Sequence, residues 1–140
     1  MGKALVIKTA DFTNVAVSIS DIVADKTYTN SELKAAQQNG FCDSGTGRIR
    51  TDVSGYKHTI IDVVGYTTLI IEGTFPIHIG AFYSSADDIG ESTFVDCGGQ
   101  LTKAGVSYIS KSVTIPTGAL IVGINLNSSY SDYSAQVKTS

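Results

Sequence analysis

The chain has 140 residues, of which only 16% are charged, with a formal net charge of −3 and an isoelectric point near 5.1. That length fits one domain able to bury a core of its own, so neither a metal nor a disulfide staple is required. Lys and Arg are scattered without a cluster, which removes the electrostatic footprint of a nucleic-acid binder, while abundant Ser, Thr and Gly suit turns and wet β faces.

Met1-Gly2-Lys3 is followed by four apolar residues, Ala4 to Ile7, before Lys8. This run is too short for a signal-peptide core or a membrane span, and it leads to the expectation of a chain folded in a cytosol with no membrane insertion. Gly2 does not make a myristoylation site, because Val6 stands where that motif wants Ser or Thr. Residues 3–8 read as a short strand. Asp11 to Ser20 alternates, with Val15, Val17 and Ile19 on one face, as a half-buried strand does. Thr29 to Gly40 carries the one helical signal: Thr29 and Glu32 stand at capping-box spacing, good helix formers follow, and Asn39-Gly40 supplies a stop. Leu33 and Ala36 are its only apolar stripe, enough to cover a sheet end.

Phe41 to Ser54 sets Ser44, Gly45 and Gly47 between short β-like pieces, as a hairpin or irregular loop would. Tyr56 to Tyr83 holds strand-length apolar runs broken at Gly65-Tyr66, Gly73-Thr74 and Pro76, and it reads as the centre of the fold. Thr67, Leu69 and Ile71 fall on one face there, opposite Thr68, Ile70 and Glu72. Further on, Ile77, Ile79, Ala81 and Tyr83 oppose His78, Gly80 and Phe82. Ser84 to Gly105 is polar and Gly-rich around one apolar piece, Thr93 to Cys97, and is expected to form long loops. Val106 to Ile115 and Leu120 to Leu126 alternate on either side of Pro116-Thr117-Gly118, a pattern that predicts a hairpin. Asn127 to Ser140 is expected to be a last edge strand or a frayed arm. Eight or nine strands with one short helix predict an all-β fold, a sandwich or barrel.

Few residues look like chemistry. Asp43-Ser44-Gly45, with the later segment Leu120-Ile121-Val122-Gly123-Ile124-Asn125, resembles the active-site pieces of retroviral-type aspartic proteases, in which two chains each give one Asp. Asp-Ser-Gly is equally an ordinary turn, and no glycine-rich flap lies between the two pieces. His58 and His78 have no partner at metal-ligand spacing and read as surface or interface histidines. Asp87, Asp88 and Glu91 have the oxygens for Ca²⁺ but no framing motif, so a solvated acidic turn is the plainer reading. Cys42 and Cys97 are the only cysteines; reduced thiols are expected, with pairing as the alternative. Tyr83, Tyr130 and Tyr133 stand beside Ser and Asp, where rings could stack on sugars or sit half-buried in strands. No cofactor or metal is expected.

Several segments together resemble a β-sandwich module of tailed-bacteriophage virion proteins, found in tail-fibre, head-fibre and receptor-binding chains. They are Gly40-Phe41 with Asp43, Gly45 and Ile49; Tyr56-Lys57-His58-Thr59 leading to Ile61-Asp62-Val63 and Gly65-Tyr66; Ala81-Phe82-Tyr83-Ser84-Ser85; and Val113-Thr114-Ile115-Pro116-Thr117-Gly118-Ala119. The resemblance covers about residues 40–127, with 1–40 as N-terminal strands and helix and 128–140 as a tail of a single domain, 1–140. It implies a jelly-roll-like antiparallel β-sandwich and a non-enzymatic structural or adhesion protein at the virion surface, assembled in the host cytoplasm. The expected partners are other virion proteins of the capsid or tail. Because residues 1–40 replace a fibre shaft, a capsid-decoration or head-fibre component is expected. Self-association, as a trimer, is expected through weakly charged Ser/Thr/Tyr faces. Carbohydrate binding to a host-surface glycan is the alternative, and Tyr83, Asp87, Asp88, Tyr130 and Tyr133 are the candidate ligand or partner contacts.

Overall fold

The computed structural model describes residues 24–140. The strands expected at 3–8 and 11–20 lie outside the described residues. Chain order is β1 (Lys26–Tyr28), α1 (Asn30–Ala35), β2 (Gln38–Asn39), β3 (Phe41–Cys42), β4 (Ile49–Arg50), β5 (Tyr56–Asp62) and β6 (Thr68–Phe75). Then follow β7 (Gly80–Tyr83), β8 (Phe94–Val95), β9 (Ser107–Thr114), β10 (Ile121–Asn127) and β11 (Ser134–Lys138). None of the described helices is long and apolar enough to cross a membrane.

The strands β6, β9 and β11 show burial of period two, whereas β10 is buried on both faces. Along β6, Leu69, Ile71, Gly73 and Phe75 are buried, and the residues between them are half-buried. Two antiparallel sheets turn such faces toward each other: β1-β11-β6-β9 with four strands, and β2-β5-β10-β7-β8 with five. Setting aside β2 and the β3–β4 ribbon, the remaining eight strands switch sheets at every step except β7 to β8, in the two-Greek-key order of a jelly roll. The fold is an all-β sandwich, as expected. Its core is formed by Ile61, Leu69, Ile71, Phe75, Phe82, Val113, Val122, Ile124, Leu126 and Val137, all nearly inaccessible to solvent.

Tyr133 ties the two sheets at one end. Its hydroxyl donates to the Thr74 carbonyl at 2.8 Å and accepts from the Asn127 N–H at 2.9 Å, so one buried group satisfies a backbone atom of each sheet.

Three local expectations change. The hairpin predicted across Pro116-Thr117-Gly118 is a turn, but its arms do not pair. β9 bonds to β6, whereas both edges of β10 are taken, by β5 and β7. The turn crosses between the sheets, with the Ile115 N–H on Thr67 and the Leu120 N–H on Tyr83. Alternation fixes which face is apolar and not which sheet receives it, so two adjacent amphipathic strands imitate a hairpin. The tail is neither edge nor arm: β11 lies inside its sheet between β1 and β6, with Ala135 and Val137 in the core. The helix stops at Ala35, because Gln38–Asn39 is taken up as a strand on β5.

At the helix start the capping box is complete. Thr29 Oγ1 accepts from the Glu32 N–H at 3.2 Å, and Glu32 Oε1 accepts from the Thr29 N–H at 2.9 Å. Leu33 is the one buried side chain of α1, and Lys34 Nζ donates to the carbonyls of Asn127 and Tyr130. Thr29→Ala should therefore cost about 1 kcal/mol, read as a lower urea midpoint with an unchanged slope.

The free edge of β9 is guarded. Gln100 bonds both backbone groups of Thr114, and Lys111 turns its ammonium onto the Gln100 carbonyl. An amide clamp and an inward-turned lysine both discourage strand addition at that edge.

Candidate functional site

The outer face of the five-stranded sheet does not face water throughout, because the β3–β4 ribbon lies across it. Asn125, in the middle of β10, is fully buried and holds the ribbon there. Its Oδ1 accepts from the Cys42 N–H at 2.8 Å, and its Nδ2 donates to the Cys42 carbonyl at 2.9 Å and the His78 carbonyl at 3.0 Å. Gly123 leaves the room for this approach, since a Cβ there would stand 2.7 Å from Cys42 Sγ. Beneath the ribbon Cys42, Ala81, Tyr83 and Ile121 form a second small core. Both cysteines are free; Cys42 is buried, and that burial pushes its thiol up to about 12.

At the turn of the ribbon, Asp43 Oδ1 accepts the N–H groups of Gly45 and Thr46 at 2.8 and 3.1 Å. Burial pushes this carboxyl up, but the Gly45 N–H, the nearby His78 ring and the Thr46 N–H outweigh it and hold it below the usual carboxylate value. Asp43 thus spends its carboxylate on its own turn.

Ser44 and His78 make the one contact in the described chain that looks like a nucleophile and a base, with Oγ 2.7 Å from Nδ1. The Ser44 N–H also points at Nδ1, at 3.2 Å, and a backbone N–H can only donate. Nδ1 is therefore the acceptor and the neutral ring carries its proton on Nε2. Asp43 stands 4.0 Å from the same Nδ1, and among the described residues no carboxylate bonds the far nitrogen to orient it as a catalytic relay needs. The pair works as a clasp between the ribbon turn and the β6–β7 connection.

That clasp forms one wall of an open groove of about 360 Å³ at the end of the sandwich where the loops before β5 and β7 and the loop before β9 meet. Phe41 and Tyr56 pack edge to face at 5.3 Å, Phe41 and His78 at 5.9 Å, and the Arg50 guanidinium lies 6.0 Å from the Phe41 ring. Ile77 and Val106 complete the groove while 53% and 57% exposed. Two large aliphatic side chains held in water beside a cleft mark a contact surface.

The five residues singled out from sequence do not form one site. Tyr83 is completely buried, and its hydroxyl donates to the Gly47 carbonyl, so it supports the ribbon and presents nothing to a ligand. Tyr133, 2% exposed, is the tie between the sheets. Strand alternation placed both rings on strand faces but could not show the layer that covers them. Asp87 and Asp88 are exposed on the β7–β8 loop, with their N–H groups on Ser85 Oγ, at the end opposite the groove. Tyr130, 37% exposed, lies on the β10–β11 loop at the groove's end of the sandwich. Sequence reasoning did not bring Phe41, Arg50, Tyr56, Ile77 and Val106 together as a groove. The available signal was a bulky aliphatic next to a turn former, in Pro76-Ile77 and Gly105-Val106.

His58, expected as a surface or interface histidine, is buried within the chain beside the ribbon, with Nδ1 donating to the Gly40 carbonyl at 3.1 Å. Burial holds its imidazole below the ordinary value of 6.5. The unfolded chain takes up a proton that the folded chain refuses, so stability is full above about pH 6.5 and declines as the pH falls below it. A second decline follows below the ordinary carboxylate value of 3.8, where Asp43 and Asp132 are held low and their contribution is lost as they protonate. Urea midpoints measured from pH 8 to pH 3 should show both steps, and His58→Asn should remove the first.

No protein-family model, curated protein or solved structure matches this chain.

Proposed function

We propose that the protein is a non-enzymatic binding component of a tailed-bacteriophage virion, of the capsid-decoration or head-fibre kind. It docks through one surface on a capsid or tail partner and turns the groove end outward. The observation that carries the binding reading is the groove itself: an apolar cleft with exposed Ile77 and Val106, fixed in shape by the Asn125 anchor and the Ser44–His78 clasp. The virion setting is supported by the resemblance of residues 40–127.

The outer face of the four-stranded sheet suits docking and self-association, as a trimer. By register it presents Thr68, Thr74, Tyr108, Ser110, Ser112 and Thr114. The Glu72 carboxylate among them already accepts from Ser110 Oγ at 3.1 Å and Ser134 Oγ at 3.4 Å. The hydroxyls of this face can re-pair across an interface at low cost, while Glu72, Gln136 and Lys138, which share the face by register, would need polar partners there.

Adsorption of the labelled protein to host cells tests the outward role. The double variant Ile77→Asp, Val106→Asp changes only exposed positions and should fold normally, yet lose adsorption by about tenfold or more. Adsorption equal to that of the unaltered protein would contradict the reading.

A further inference from the structure

We infer that the groove recognises the acetamido group of an N-acetylated sugar, an assignment that rests on the reading of this end as the recognition surface. The polar groups around the cleft are unusually one-sided. His78 has its Nδ1 filled by Ser44, so its proton sits on Nε2, where it has no acceptor among the described residues. Arg50 spends Nε and Nη2 on Asp52, at 3.1 and 3.2 Å, and its Nη1 stands 3.9 Å from Asp43, beyond a hydrogen bond. The Tyr56 hydroxyl also has no partner among the described residues. All three side chains surround the Phe41 ring at about 6 Å or less. The cleft therefore offers donors over an apolar floor, and its ligand must bring an acceptor attached to something apolar.

Charge selects the kind of acceptor. The Arg50 guanidinium already faces two carboxylates, Asp52 and Asp43. An incoming carboxylate or phosphate would add a third anion to one cation, whereas a neutral amide carbonyl takes the donors without that repulsion. An acetamido group carries such a carbonyl beside a methyl, and the methyl matches the apolar contribution of Ile77 and Val106. Sugar hydroxyls both donate and accept, so the rest of the ring can donate to Asp52, whose side chain is 70% exposed at the rim, and accept from Tyr56. A peptide strand fits less well, since it brings one N–H per residue where the acetamido group brings one in all, and Asp52 and the Tyr56 hydroxyl are the only side-chain acceptors beside the groove among the described residues. A volume near 360 Å³ suits one sugar unit.

The test is an amide-resonance titration of the full chain with N-acetylglucosamine and N-acetylgalactosamine, with glucose, galactose and N-acetylalanine methylamide as controls. Saturable shifts at Phe41, Arg50, Ile77 and His78 are expected with the two acetylated sugars alone. They should weaken at least about tenfold in Val106→Glu, with resonances away from the groove unchanged. Equal shifts with glucose, or no shifts with any sugar, would overturn the assignment. Stronger shifts with the peptide analogue would overturn it in favour of a polypeptide ligand. Cell adsorption separates the two claims: if Ile77→Asp, Val106→Asp abolishes adsorption while no sugar moves an amide, the sugar is wrong and the outward role stands. If adsorption is also indifferent to that variant, both fall.

Discussion

Asn125→Leu is expected to lower stability by about 4 kcal/mol, because it keeps the branched shape of the side chain at a somewhat larger volume and removes all of its hydrogen bonds. The Cys42 N–H, the Cys42 carbonyl and the His78 carbonyl would be left unpaired beneath the ribbon, each costing on the order of 1–3 kcal/mol when buried. The ribbon should respond by lifting, so the substitution has a second signature. The Cys42 thiol, now buried, becomes reactive toward a thiol reagent under native conditions, while Cys97 serves as the internal reference. Urea unfolding gives the first number and reagent kinetics the second. An Asn125→Leu protein as stable as the original, with Cys42 still protected, would mean that the ribbon is held by apolar packing alone.

Gly80→Ala carries the other large effect. A Cβ at Gly80 would stand 2.1 Å from the Gly123 carbonyl oxygen, and both atoms belong to paired backbones, so no side chain can rotate away. The strands β7 and β10 would have to separate at the centre of the five-stranded sheet. A cost of at least about 3 kcal/mol is expected, above the usual range for an added methyl group because the strain falls on the ladder itself. Thermal unfolding measures it directly, and a midpoint unchanged to within a degree or so would contradict the close approach of the two strands.

Much of the fold was legible because burial follows period two. Leu69 and Ile71 against Thr68 and Ile70, and Val122 and Ile124 along β10, are placed by alternation as they appear in the core. Thr29 and Glu32 announce the helix start through chemistry that spans only three positions. Sheet membership was not legible. Whether β10 pairs with β9, or with β5 and β7, depends on which edges remain open after distant segments have docked, and no local signal carries that. The site was hidden for a related reason. Asn125 looks like the polar end of an amphipathic strand until Cys42 is laid over it, and Tyr83 looks available until the same ribbon covers it. Of the two readings that Asp43-Ser44-Gly45 allows, the turn was legible locally, since an Asp that caps the N–H groups following it needs nothing from elsewhere in the chain.

The jelly roll also explains where binding is placed. Switching between sheets gathers the connections at two ends, and among the described residues the longest insertion, from α1 to β4, falls between β1 and β5. It therefore covers one sheet and adds its turn to one end, where it meets the β6–β7 connection through Ser44 and His78. The proposed recognition at that end and the proposed attachment through the hydroxyl-rich face of the other sheet lie on separate surfaces, so each should be removable without the other.

Size-exclusion chromatography with light scattering, on the chain alone and then with purified capsid or tail protein, tests the central claim of a virion binding component most directly. A stable homo-oligomer that co-elutes with a virion component is the predicted result. A monomer that elutes unchanged beside every virion component would contradict the account.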